Sequence, residues 1–450
     1  MEGKIYLIVV CILCGGFMTP TLALGGSQPT HELTWEKVID TPDGHTPPSQ
    51  FLVTSDSSYV ITGSYLDKHN IGIPYLLKVD SQGNLLWNYT YSHPLKSHGK
   101  FRSMTQTSDG GYALTGFIYP EKSDEYGTLD LWVVKTDENG LEEWNRTFYS
   151  QSNSFDYGSQ ILTTPDGYLI SGCTGAVTNW VIDYWLIKLD EEGNEEWNKT
   201  YHRFSSDQAT SLVPLKDGNY LLGGMSRKTS SSSSHHDIWI IKINGGGTEI
   251  WDKPFTNPTY ALASWENGLI ATQDGGFLLT AYPWTTNYNW GKYYWIIKCN
   301  AEGEIEWEKT IGSDDYDTPR VCLQDAAGDF YIAGSFESST SNYDAGDFCL
   351  TKLSNSGELL WQLQHGDPAA GEIIQDIKLV EGSHSDDSII ACGLTLLNGD
   401  PSTLNCWLGR YDIAVHSSTS GEPDQTSNFS GIIVISFGLG IFVILRQKKT

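Results

Sequence analysis

A tryptophan returns along this chain at nearly even intervals: Trp35, Trp87, Trp144, Trp197, Trp251, Trp307 and Trp361, spaced by 52, 57, 53, 54, 56 and 54 residues. Most of them close one recurring phrase, as in "DSQGNLLWNYTY" from Asp80, "DENGLEEWNRTF" from Asp137 and "DEEGNEEWNKTY" from Asp190. A fixed period of this length decides architecture before any local propensity is weighed, because each unit must be one supersecondary element stacked on its neighbours.

Two further marks keep the same period. A hydrophobic stretch with a lysine, such as "WVVKTD" at Trp132 or "WLIKLD" at Trp185, precedes each turn and ends with "WLGRYD" at Trp407. An Asp-Gly turn followed by an apolar run, as in "SDGGYALTG" from Ser108 and "QDGGFLLTA" from Gln273, opens most units, with weaker versions at Asp56, Asp325 and Asp386. Each unit therefore offers four short apolar runs separated by turn chemistry, without the 3.6-residue periodicity of helices. Four strands in about 54 residues is the period of a propeller blade. The expected fold is all-β: a seven-bladed β-propeller over residues 30–413. Trp35 lies in a fourth strand that lacks its first three, and the last unit stops after its third strand. The N-terminal strand, Leu33 to Ile39, is thus expected to complete the last blade and remove its exposed edge. The seven tryptophans are scaffold on this reading, each packing between neighbouring blades, and so is the lysine of each third strand.

The pattern resembles the quinoprotein-like (PQQ-like) repeat propellers of archaeal and bacterial cell-surface proteins, through units of the form Asp-Gly-Gly-Tyr, Asp-x-Trp-Leu-Ile-Lys-Leu-Asp and Gly-Asn-x-x-Trp. Lys78, Asp80, Gly83 and Trp87 show the docking phrase, one residue shorter in the turn than in the quinoproteins. That resemblance implies a propeller and permits a quinone and a calcium ion over the channel. The adjacent cysteine pair that often accompanies them does not occur.

Both ends of the chain read as membrane signals. Lys4, the apolar run to Phe17 and Ala23-Leu24-Gly25 make residues 1–25 a secretory signal peptide. Residues 429–446 are expected to form a transmembrane helix after a polar linker at 414–428, with a basic cytoplasmic tail at 447–450. The propeller would then stand outside a cell on a single-pass anchor. A net charge of -27 sets nucleic acid aside as a partner.

Function is expected on the face that carries the second-to-third loops and the connections between blades, since these are long and irregular. Trp180, Trp265, Trp284 and Trp290 fall there, with Tyr282 and Tyr288, as flat aromatics for a glycan or a protein partner. Asp314, Asp315 and Asp317 are the candidate calcium ligands, and no other cofactor is predicted. Asp130, Asp183, Asp237 and Asp347 recur by blade, which points to local turn bonds. His93, His98, His202, His235, His236 and His365 lie in loops of different blades at irregular offsets, so a zinc site would arise only by spatial coincidence. Cys392 and Cys406 flank one loop symmetrically about Gly399 and are the candidate disulfide. Asn88, Asn145, Asn198 and Asn428 begin glycosylation sequons. The expected function is a binding, recognition or adhesion module; the alternatives are a quinone-dependent dehydrogenase, a polysaccharide-cleaving enzyme on the same face, or a surface-layer spacer.

Overall fold

The computed structural model describes residues 30–39, 47–66, 72–92, 98–119, 128–150, 154–176, 181–230, 233–256, 261–263, 267–284, 293–312, 316–338, 347–365, 372–381, 387–396, 404–414, 429–437 and 440–447. The signal peptide, the linker and Asn428 lie outside these. Every regular element among the described residues is a β-strand.

Consecutive strands pair antiparallel into small sheets, most of them four-stranded. The first sheet runs from Pro48–Val53 through Tyr59–Leu66 and Gly72–Val79 to Leu85–Thr90. The second begins at Gly99–Gln106, the third at Tyr157–Thr164, the fourth at Ser206–Pro214 and the sixth at Tyr316–Gln324. In the fifth, the first strand is broken into Ala261–Ala263 and Leu269–Ala271, both paired to Phe277–Trp284. The last sheet takes Glu372–Glu381, Asp387–Leu396 and Leu404–Ala414 from the end of the chain and Thr30–Ile39 from its start. A single parallel bridge, Ile182 to Ser206, links the third sheet to the fourth.

First strands lie inside. That of each sheet packs against that of the next, and Pro48–Val53 also packs against Glu372–Glu381, which returns the circle to its start. In six of the sheets the inner strand carries a β-bulge at the equivalent place. Such a bulge re-aims the residues beside it, here across the seam to the neighbouring sheet. Gln50 Oε1 accepts from the Met104 amide at 2.7 Å, Ser103 Oγ from Ile161 at 3.4 Å, and Asp376 Oδ2 from Phe51 at 3.4 Å.

The recurring phrase can now be explained residue by residue. Its glycine holds a left-handed φ, from +69° at Gly247 to +82° at Gly140, which a side chain would strain. The tryptophan of the preceding sheet lies on that glycine. A Cβ built on Gly140 would stand 2.8 Å from the ring of Trp87, on Gly193 2.7 Å from Trp144, and on Gly357 2.9 Å from Trp307. Trp197 meets Gly247 and Trp251 meets Gly303 in the same way. Trp35, from the N-terminal strand of the last sheet, meets Gly83 of the first. The phrase thus carries both halves of a joint: a glycine that receives and a tryptophan that is received.

The lysines fasten each sheet internally. Lys78, Lys135, Lys188, Lys242, Lys298 and Lys352 reach Asp56, Asp109, Asp166, Asp217, Asp274 and Asp325, in the turns between the first and second strands of their own sheets, at 2.7 to 2.9 Å. Burial raises the Asp109 carboxyl, but bonds from Lys135 and Thr107 outweigh it and hold the group down at about 2. Third-strand tryptophans are tied as well. The indole N–H of Trp185 donates to Asn198 at 3.2 Å, that of Trp239 to Asp252 at 2.9 Å, and that of Trp295 to Glu308 at 3.0 Å. The acceptor is in each case the residue after the outer tryptophan.

The C-terminal apolar segment corrects one expectation. Residues expected to form a membrane-spanning helix form two antiparallel strands, Phe429–Phe437 and Gly440–Gln447, with Phe437 opposite Gly440. Runs such as Ile432, Ile433, Val434 and Ile435 are β-branched, which costs side-chain freedom in a helix, and Gly440 opens the second strand opposite Phe437. No described helix is long and apolar enough to cross a membrane. Residues 31–414 form one compact unit; the hairpin belongs to another.

Candidate functional site

With the recurring charges and rings committed to the frame, the chemistry that breaks the repeat marks where function can reside. One such position is the residue that follows each outer strand's terminal aromatic or aliphatic residue. It is Ser92 after Tyr91, Tyr149 after Phe148, His202 after Tyr201, Thr256 after Phe255 and Gly312 after Ile311. Two of these stand out structurally.

Tyr149 is 64% exposed, the most of any large hydrophobic side chain among the described residues. It borders a groove of about 370 Å³ at the seam between the second and third sheets, walled by Ser150, Thr174, Trp185, Glu195 and Asn198. Asn198 and Glu195 are exposed and share a hydrogen bond of 2.6 Å, while Trp185 is buried beneath them. Behind the groove, Asp156 is fully buried and accepts from the Ser150 amide at 2.8 Å and from the hydroxyls of Ser154 and Thr174. Burial pushes its carboxyl up, against the pull of those bonds. The result is a flat ring beside fixed hydroxyl, amide and carboxylate groups.

His202 stands at the next seam. Its Nδ1 is 2.7 Å from Asp183 Oδ1 and 3.8 Å from Asp207 Oδ2. Asp207 matches Asp156 in its place beside the inner strand and is likewise fully buried, accepting from the amides of Arg203 at 2.7 Å and Phe204 at 3.0 Å and from Ser226. Arg203 in turn lies 3.7 Å from Asp237.

A second cavity, of about 510 Å³, lies within the ring of inner strands. Gln160, Asn267, Gln324, Asp376 and Lys378 give it polar walls. These groups largely serve one another: Lys378 binds both oxygens of Asp376 at 2.8 Å, and Gln160 reaches Asn267 at 3.4 Å across the fourth sheet.

The residues singled out by sequence divide as follows. Tyr282 is buried in the strand Phe277–Trp284, opposite Ala263, and so is a packing residue. Trp284 ends that strand opposite Ala261. Trp180, Trp265, Tyr288, Trp290, Asp314 and Asp315 lie outside the described residues. Asp317 is fully buried, at the position relative to the inner-strand bulge that Asp156 and Asp207 hold in their sheets. Cys392 and Cys406 are both buried and are not joined by a disulfide, although their side chains are neighbours. Symmetry about Gly399 suggests that they face each other, but the register sets Cys392 opposite Leu408 and Cys406 opposite Leu394, a diagonal pair. Of the sequon asparagines, Asn88 is exposed, whereas the side-chain oxygens of Asn145 and Asn198 are the indole acceptors of Trp132 and Trp185. Tyr149 is hard to single out in the sequence because it adjoins the repeated phrase; its mismatch with the other units is the available signal.

The arrangement of sheets is that of a propeller. A protein of unknown function from Dyadobacter fermentans is similar at a TM-score of 0.50 and 11% identity, over 85% of this chain and 99% of its own. The Pan2 WD40 domain of Neurospora crassa has a TM-score of 0.43 at 7% identity, over 71% of this chain and 91% of its own. Sqt1 from Chaetomium thermophilum has 0.45 at 12%, over 94% and 100%. These likenesses concern the fold alone. No protein-family description matches the sequence, and no curated protein resembles it closely enough to count as a relative.

Proposed function

We propose that the chain is a glycan-recognition module of a cell surface: a seven-bladed propeller closed by its N-terminal strand, held outside the cell, and tethered through its apolar C-terminal segment. Its repeats are of the kind found in the quinoprotein-like surface proteins. The observation that carries the reading is the Tyr149 groove. An exposed aromatic ring offers its face to the C–H side of a sugar, and the adjoining Thr174, Glu195 and Asn198 offer the hydrogen bonds that orient hydroxyl groups. Shallow, polar and open, the groove suits a segment of a longer polysaccharide better than a buried small molecule. Trp284, which ends the second strand of the fifth sheet, and Trp290 after it in the sequence are the other aromatics offered to a glycan.

The test is a screen of the purified protein over surface polysaccharides and glycans, with and without calcium, beside Tyr149→Ala and Trp284→Ala/Trp290→Ala variants. Binding that falls at least tenfold in Tyr149→Ala supports the reading. Binding unchanged by that substitution, or absent throughout, refutes it, and appearance of cleaved product would replace recognition with catalysis.

A further inference from the structure

We propose that Asp183, His202 and Asp207 form a binding site for a divalent transition-metal ion, Zn²⁺ by the chemistry of its donors. The three side chains come from three elements. Asp183 lies in the third strand Val181–Leu189, His202 follows the outer strand Glu195–Tyr201, and Asp207 lies in the inner strand Ser206–Pro214 of the next sheet. Register explains why they meet. Tyr184 faces Tyr201, so Asp183 and His202 are the next positions outward, and the bridge from Ile182 to Ser206 brings Asp207 alongside.

One ligand atom from each residue lies within 4.8 Å of the others. The spacings from His202 Nδ1, 2.7 Å and 3.8 Å, bracket the roughly 3.4 Å that separates tetrahedral ligands when each bond is about 2.0 to 2.2 Å long. One imidazole with two carboxylates suits zinc, whereas calcium takes six or more oxygens. Bonds from the Arg203 and Phe204 amides and from Ser226 already fix the Asp207 carboxylate, as outer partners commonly fix a ligand. Arg203, the nearby cation, is offset by Asp237. The His202 side chain is 57% exposed, so a bound ion would keep a coordination position open toward solvent. A bound ion would take the Nδ1 lone pair, with the ring proton then carried on Nε2.

The repeat separates this site from ordinary frame chemistry. Asp156 performs the same capping at the preceding seam, with Asp130 in the place of Asp183, but Tyr149 stands where His202 does. The frame requires the buried aspartate there and builds the seam without a histidine. His202 is the addition, and it falls where two carboxylates already converge.

The full chain, stripped with a chelator, would be titrated with Zn²⁺ by calorimetry, with Ca²⁺ and Mg²⁺ as controls. One Zn²⁺ per chain is expected, with a urea midpoint that rises when the ion is present. His202→Ala and Asp183→Asn should each weaken binding at least tenfold and abolish the midpoint shift, while His365→Ala changes neither. Asp207→Asn removes a loop cap and is expected to disturb folding, so His202→Gln, with circular dichroism as the folding check, serves as the second variant. Undiminished Zn²⁺ binding in folded His202→Ala and His202→Gln, or no saturable binding to the wild-type chain in the micromolar range, overturns the proposal.

Discussion

Two glycines with the same backbone conformation provide a direct measure of the joint between sheets. Gly193 and Gly218 both have φ of +79°. A Cβ on Gly193 would stand 2.7, 2.8 and 3.0 Å from three ring carbons of Trp144, whereas a Cβ on Gly218 would meet nothing within 4 Å. Gly218→Ala therefore carries only the cost of a left-handed alanine, about 1 to 2 kcal/mol. Gly193→Ala carries that cost and must also displace a half-buried indole, a further ~1 to 3 kcal/mol by the usual penalty for overpacking. Urea unfolding followed by circular dichroism would compare the two. In a Trp144→Ala background the excess should vanish, since alanine leaves room for the new methyl, and the double-mutant cycle isolates the coupling. Equal destabilisation by the two glycine substitutions, or an excess that survives Trp144→Ala, would refute the docking account.

Ser57 has φ of 60° in an Asp-Ser turn where other units have Asp-Gly, so Ser57→Gly should stabilise by about 1 kcal/mol, read as a raised urea midpoint. Asn198→Ala strands the buried Trp185 indole N–H and should cost about 1 to 3 kcal/mol, while Asn198→Asp, which keeps an acceptor as Asp252 does, should cost much less. Asp109 and Asp274 are held at about 2, below the ordinary 3.8, so the stability they contribute is complete above about pH 4 and falls as pH drops toward 2. Lys135→Met should flatten part of that acid dependence, measured as urea midpoint against pH. Burial pushes the thiols of Cys173, Cys299 and Cys322 up to about 12, and alkylation of the native protein at pH 8 should leave them unmodified until denaturant is added.

The frame is legible in sequence because every part of it is written many times. Evenly spaced tryptophans, Asp-Gly turns and third-strand lysines announce four-stranded units, and the half-units at each end announce the closing strand. What the tryptophan touches is less legible. The receiving glycine reads as a turn residue only, since nothing local shows that an indole from the preceding sheet lies on it, as Trp87 does on Gly140 and Trp144 on Gly193. The candidate sites are hardly legible at all. Each is a single departure from the repeat, Tyr149 or His202, whose meaning depends on a seam between sheets and so on pairs such as His202 with Asp207 that no periodicity reveals. The C-terminal segment reads as a helix only while length and hydropathy are weighed above β-branching and the glycines at its centre.

Because Trp35 and Gly83 complete the same joint that Trp87 and Gly140 make, the seam closed by the N-terminal strand is mechanically equivalent to the others that set a tryptophan on a glycine. The propeller could be cut at another Asp-x-x-Gly turn and residues 30 and 414 linked, and each tryptophan would still find its glycine. The same property makes the unit a natural module for gene duplication: a copied unit arrives with one socket and one plug already matched to those on either side.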